Sequence, residues 1–143
     1  MSTRVLELRP GDRMVVNGAP IRFRNRTRIE LTAKARFLFG KQLMTPEAAN
    51  TPARRIYFAL QTAYIGDEDE REAGLAAARR LIADFQSATT SALARDLLDR
   101  ALAAAEADEC YNALKLVRRV MRHEEVVMGI AQAGDAGMER EQP

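Results

Sequence analysis

Two Thr-Pro pairs, Thr45-Pro46 and Thr51-Pro52, divide this sequence into a part that can form strands and a part that can form helices. Such a pair is a typical helix start, because the threonine hydroxyl accepts a hydrogen bond from a free backbone N–H and proline fits the first helical position. Before the pairs, apolar residues form short alternating runs, whereas after them apolar residues recur every three or four positions. The pattern therefore predicts an α+β protein whose strands precede its helices.

Residues 1–43 predict a basic β-module, either a small antiparallel sheet or an open barrel. The runs VLEL and MVV read as the first two strands, and Asn17-Gly18 suits the positive dihedral angles of a tight hairpin. We therefore expect the chain to begin as a β-meander. Two strands are expected at 21–24 and 27–32, with the chain reversing near Asn25, and a fifth is expected within 35–39.

Residues 44–130 predict a single helical turn followed by a bundle of about four helices. The first helix carries Ile56 and Leu60 on its apolar face and should end near Gly66. The acidic residues 67–70 favour the start of a second helix through its dipole. Three apolar stripes mark the remaining helices: Leu75, Ala78, Leu81, Ile82 and Phe85; then Leu93, Leu97, Leu98, Ala101 and Leu102; then Leu114, Val117, Val120, Met121 and Met128. Residues 131–143 are polar and lack this periodicity, so we expect a disordered tail.

Composition argues against several classes of protein. The 143 residues, 47% of them apolar and 29% charged, can bury the core of one domain or of two very small ones. No run approaches the length of a membrane helix, and Pro10-Gly11 interrupts the N-terminus before a signal peptide could form, so we expect a cytoplasmic protein without membrane contact. One cysteine and one histidine make neither a disulfide nor a zinc site, and we expect no metal or cofactor.

The sequence also lacks a recognisable catalytic constellation. His123 precedes two glutamates but has no second histidine four residues later, as a zinc protease requires, so we interpret it as a surface residue. No glycine-rich phosphate loop occurs. Cys110 follows Asp108 and Glu109, whose charges should raise the pKa of its thiol and disfavour a nucleophilic thiolate. We therefore predict that the protein is not an enzyme.

Charge is segregated between the two parts of the chain. Up to Met44 there are ten basic residues and three acidic ones, a charge of +7, whereas the whole chain carries +2 and the remainder therefore −5. The basic residues concentrate in IRFRNRTRIEL, where arginine occupies every second position. The members of this row are Arg22, Arg24, Arg26 and Arg28. Because alternate side chains of an extended strand share a face, four guanidinium groups would lie opposite the apolar residues Ile21, Phe23, Ile29 and Leu31.

Two interpretations of the arginine row remain open. One is a solvated strand face whose charge blocks edge-to-edge aggregation. The other is a polyanion site, because neighbouring like charges repel one another until an anionic partner binds. If the chain reverses at Asn25, the row divides between paired strands and still clusters. We expect RNA to contact the row and three flanking cations, Lys34, Arg36 and Lys41; Phe23, Phe37 and Phe39 could stack on bases, but core packing is favoured.

Three stretches resemble the FlbT family of flagellum-biosynthesis repressors: LELRPGDRMVVNGAPI, MTPEAANTPARRIYFALQTAYIG and YNALKLVRRVMRHEE. The middle stretch, with its doubled Thr-Pro, is the specific one. The resemblance implies a bacterial post-transcriptional regulator that associates with the 5′ untranslated region of flagellin mRNA and limits its translation or promotes its decay. It also implies a companion protein, FlaF. The resemblance supplies no RNA-contacting residues, so the proposed site rests on charge alone.

An adaptor that binds proteins rather than RNA is the alternative function. In that case the helical part would bind flagellin or FlaF, and effects on RNA would be indirect. Arg54, Arg55 and Tyr57 lie off the Ile56-Leu60 stripe and would offer a partner surface. Ordinary exposure and packing against the sheet would explain the same residues.

Overall fold

The computed structural model describes residues 4–32 and 35–129, and in these ranges five strands precede four α-helices. The strands are Arg4–Leu8 (β1), Arg13–Val16 (β2), Ala19–Arg22 (β3), Thr27–Leu31 (β4) and Phe37–Phe39 (β5). The helices are Pro52–Ile65 (α1), Glu68–Ala88 (α2), Ala92–Glu106 (α3) and Cys110–Met128 (α4), and short 3-10 turns span Gly40–Gln42 and Pro46–Ala48. The predicted α+β order is confirmed, whereas the predicted tail, 131–143, lies outside the described residues.

The strands form two sheets, so the expected β-meander is wrong. β1 pairs with β4 in one antiparallel sheet, and β2 lies between β3 and β5 in the other. Among the described strands, β2 and β3 are the one pair that is adjacent both in the chain and in a sheet. Its turn uses positive φ angles of 49° at Asn17 and 86° at Gly18, which confirms the predicted tight turn. The described strands do not close into a barrel.

One face of the three-stranded sheet packs against the helices. Val15 and Leu38 are opposite each other in the β2–β5 ladder, and both contact the helical core. Leu38 is fully buried there. The sheet and the helices therefore share a core, and the division into modules of 1–43 and 44–130 stays a prediction about how the parts would fold separately.

A second set of buried residues lies on the other face of that sheet and in β1. Met14 points away from Val15 because successive strand residues alternate between faces. Met14, Leu6 and Leu8 are all buried but lie outside the helical core. The guanidinium carbon of Arg4 lies 5.6 Å from the centre of the Phe37 ring, which bridges β1 and β5. The strands therefore contribute buried residues beyond the helical core, and the Arg4–Phe37 contact connects the two sheets.

The helix starts follow the predicted capping signals. The hydroxyls of Thr45 and Thr51 accept hydrogen bonds from the backbone N–H groups of Ala48 and Arg54, each at 3.2 Å. At the start of α2, Asp67 and Glu70 form a reciprocal capping box. Among the described helices, α1 contacts α2, α4 and strand β5. No helix in the described ranges has both the length and the apolar character needed to cross a membrane.

Two members of the predicted apolar stripes are exposed instead. Leu93 is 51% exposed, because it lies about 100° around α3 from the centre of the face that buries Leu97 and Leu98. Met128 is 53% exposed although it continues the buried face of α4. It lies one turn beyond Glu124, which contacts the first turn of α1, so α4 extends past the helix that covers it.

Candidate nucleic-acid interface

The β2–β3 hairpin brings Arg13 directly opposite Arg22. Backbone hydrogen bonds continue the pairing, because the N–H of Phe23 donates to Asp12 O at 2.9 Å and Gly11 N–H donates to Phe23 O at 2.7 Å. Arg24 therefore lies beside the turn that precedes β2. Arg13 was missed by the sequence argument, although counting outward from the Asn17-Gly18 turn would have paired it with Arg22.

The arginine row does not form one continuous face. Arg22 ends β3, Arg24 and Asn25 form a bend, and Arg28 lies in β4. The expectation that the arginines divide between paired strands is wrong, because β3 pairs with β2 while β4 pairs with β1. The bend near Asn25 carries the chain from one sheet to the other, so Arg28 is on a different sheet from Arg22.

The arginines of this region differ in whether an acidic group already neutralises them. A guanidinium nitrogen of Arg28 lies 2.9 Å from a carboxylate oxygen of Glu7, and both side chains are exposed. Such a surface ion pair contributes at most about 1 kcal/mol and is easily exchanged. Four exposed guanidinium groups have no hydrogen-bond or ion-pair partner among the described residues, and we call them the hairpin arginines: Arg13, Arg22, Arg24 and Arg26.

Arg36 connects parts of the fold, whereas an exposed position that contacts RNA was expected. It is half-buried, and its side chain donates to the backbone oxygen of Tyr64 and to the carboxylate of Asp108, both at 2.9 Å. These contacts tie the start of β5 to the end of α1 and to the α3–α4 connection. Of the other expected flanking cations, Lys41 is exposed in a 3-10 turn, and Lys34 lies outside the described residues.

The proposed partner surface on α1 is largely occupied by the fold. Tyr57 is buried, and its hydroxyl donates to Gln42 O at 2.7 Å and accepts from Arg118 at 3.0 Å. Arg54 is half-buried and lies 3.1 Å from the carboxylate of Glu125. The expectation that Tyr57 is a surface residue is wrong, because α1 is covered on several sides. Of the proposed partner-binding residues Arg54, Arg55 and Tyr57, Arg55 is the exposed one.

A cleft of about 300 Å³ lies beside Arg13 and Arg22. Val15 and Pro20 line its sheet side, and the segment 43–46 lines the other. A larger cavity of about 750 Å³ lies where α1, α2 and α4 meet, but its lining is net acidic: Asp67, Glu68, Asp108 and Glu109 against Arg36 and Arg71. Those carboxylates would repel a polyanion, so the hairpin is the better candidate interface.

Cys110 is buried, and burial raises the pKa of its thiol, with the charge of Asp108 adding to the rise. The predicted direction of the shift is confirmed, although burial rather than charge is the larger cause. We expect Cys110 to react slowly with iodoacetamide at pH 8 in the folded protein, and at the rate of an ordinary cysteine in denaturant. Mass spectrometry of timed samples measures both rates, and equal rates would contradict the burial of the thiol.

The described residues contain no cluster of histidine, cysteine and carboxylate side chains that could hold a metal ion. Fold and site together define a small α+β protein with a basic β-hairpin mounted on a helical bundle. The family of flagellar protein FlbT matches residues 5–128. The chain therefore belongs to the FlbT family.

Individual relatives cover most of the chain. One from Mesorhizobium japonicum, called a probable flagellum biosynthesis repressor protein FlbT, is 30% identical over 90% of this chain and 86% of its own length. One from Caulobacter vibrioides, called a flagellum biosynthesis repressor protein FlbT, is 31% identical over 92% of this chain and 97% of its own length. No solved structure matches significantly.

Proposed function

We propose that this protein represses flagellin synthesis after transcription, by binding the 5′ untranslated region of flagellin mRNA through its β2–β3 hairpin. The names of its relatives support the repressor role. The observation that carries RNA binding is the group of hairpin arginines, four exposed cations without a partner among the described residues. We propose no catalytic activity, and the protein would act in the cytoplasm, where mRNA is translated.

The arrangement of the hairpin arginines suits phosphate contacts better than a solvated face. Arg13 and Arg22 lie directly opposite each other, where like charges destabilise a pair of strands. Asp12 is the acidic residue next to them, and its carboxylate accepts a hydrogen bond from the backbone of Arg9 at 2.8 Å. An RNA strand would relieve the repulsion and release its condensed counterions.

The dependence of affinity on salt tests this proposal. For a single-stranded leader RNA, log affinity should fall linearly with log salt, by about 0.7 for each phosphate that an arginine neutralises. Replacing Arg13 and Arg22 together by alanine should weaken binding and reduce the slope by about 1.4. Fluorescence anisotropy of a labelled leader at several salt concentrations measures both quantities.

A matched control removes two charges from the helical part. Arg79→Ala with Arg100→Ala changes the net charge equally, at two exposed positions far from the hairpin in the chain. The control should keep the wild-type slope. Parallel slopes and equal affinities for the wild type and the hairpin variant would rule out the phosphate contacts.

The same measurement distinguishes the adaptor function from direct RNA binding. It predicts no saturable binding of RNA by the purified protein at moderate salt until FlaF or flagellin is added. The burial of Tyr57 and the ion pair of Arg54 leave less of the α1 surface for such a partner than the sequence suggested. The hairpin therefore favours direct RNA binding.

A further inference from the structure

We propose that the cleft beside the hairpin receives an unpaired base of single-stranded RNA, while Arg13 and Arg22 contact phosphates next to that base. The inference rests on the proposed RNA binding and adds a mode of recognition to it. Phosphate contacts hold a nucleic acid without reading its sequence, whereas a base pocket can discriminate between sequences. The cleft would therefore make this protein selective for unpaired RNA.

The lining of the cleft suits a flat apolar ring. Val15 and Pro20 face each other across the β2–β3 ladder, and Leu43, Met44 and Pro46 form the opposite wall. The volume of about 300 Å³ is at the lower end for ligand pockets, which fits one base and not a bulky ligand. Sequence-specific recognition of RNA commonly uses bases that have left the stack and lie against protein side chains, arginine guanidinium planes among them.

The wall opposite the hairpin is held in place by the helical part. Gln61, a buried residue of α1, accepts a hydrogen bond from Met44 N–H at 2.8 Å and donates to Met44 O at 2.9 Å. Leu43 and Val15 also pack against the helical core. The cleft therefore exists before a ligand binds, and a base could enter it without ordering a loop.

Charge around the cleft identifies a nucleotide as the occupant. Arg13 and Arg22 both line the cleft, and neither guanidinium has a partner among the described residues. The exposed carboxylate of Glu47 follows Pro46 in the chain, so the two arginines leave a net positive rim. An unpaired nucleotide within an RNA strand has this combination of properties: a flat ring with apolar faces and a negatively charged phosphate on either side.

Binding of oligouridylate tests the inference against an abasic ribose-phosphate polymer of equal length and charge. Burial of one base face against the aliphatic lining should make oligouridylate bind about five- to tenfold more tightly. Equal affinities would overturn the base pocket and leave phosphate binding intact. If neither polymer binds, both this inference and the proposed direct RNA binding are wrong.

Crosslinking locates the base. With 4-thiouridine in the oligonucleotide, irradiation should link the base to the segment 43–46 or to Val15 and Pro20, as read by mass spectrometry of the digested protein. Links to other parts of the chain, with the cleft unmarked, would overturn the assignment even if the base-dependent affinity is present.

Two uncharged substitutions supply a matched pair. Pro20→Leu places a bulkier aliphatic side chain in the cleft from an exposed position of β3, and it should weaken the preference for oligouridylate without changing the affinity for the abasic polymer. Ala19→Leu adds the same side chain one residue earlier, where it points to the other face of the strand. Ala19→Leu should keep the preference, and an unchanged preference in Pro20→Leu would contradict the inference.

Discussion

Replacing Glu124 by alanine should lower the free energy of unfolding by about 3–5 kcal/mol, because two buried donors lose a charged acceptor at about 1.5–3 kcal/mol each. The carboxylate of this α4 residue accepts hydrogen bonds from the Thr51 hydroxyl at 2.5 Å and from the Ala53 N–H at 2.9 Å. Glu124 of α4 thus supplies hydrogen-bond acceptors to the N-terminus of α1. Alanine would leave both donors buried without an acceptor. Urea denaturation followed by circular dichroism measures the loss.

A series of variants separates the cap from general packing. Glu124→Gln keeps an acceptor of the same shape and should cost less than the alanine substitution. Thr51→Ala should cost about 1–2 kcal/mol, because the hydroxyl also accepts from the Arg54 N–H. Since Thr51 and Glu124 share a hydrogen bond, the two alanine substitutions should be non-additive by at least about 0.5 kcal/mol. Additive losses would show that the bond contributes nothing.

Leu60→Ala should cost about 2–5 kcal/mol, the range for truncating a leucine in a well-packed core. Leu60 is completely buried on α1, which packs against α2 and α4 and also contacts β5. Leu93→Ala is the matched control, since the same chemical change at a half-exposed position of α3 should stay within about 0.5 kcal/mol. Similar losses for the two variants, measured in urea, would contradict this assignment of the core.

The sequence predicted the helical part better than the strands, and the reason is the range of the interactions involved. Thr51-Pro52 and Asp67 act on backbone groups within the next turn, so their effect can be read locally. The pairing of β1 with β4 instead joins residues that are 19 to 27 positions apart, and no short motif specifies it. The contact between Glu124 and the start of α1 also joins residues far apart in the chain, so no local pattern predicted it.

The candidate site was only partly predictable for a related reason. Charge counting found Arg22, Arg24 and Arg26, which are exposed and unpaired among the described residues. It could not tell them from Arg36, whose carboxylate partner Asp108 lies far away in the chain. The burial of Tyr57 was missed because its contacts with Gln42 O and Arg118 come from separate elements.

The hairpin that carries the arginines is fastened at its turn. Asn17 N–H donates to Arg36 O at 2.7 Å, and the side-chain oxygen of Asn17 accepts from Arg36 N–H at 3.0 Å. A strand rises about 3.3 Å per residue, so Arg13 lies about 13 Å along β2 from this attachment. The backbone that bears the charges is thus already ordered, and a ligand would have to restrict chiefly the arginine side chains. Such preorganisation lowers the entropy lost on association, so a few phosphate contacts can support useful affinity.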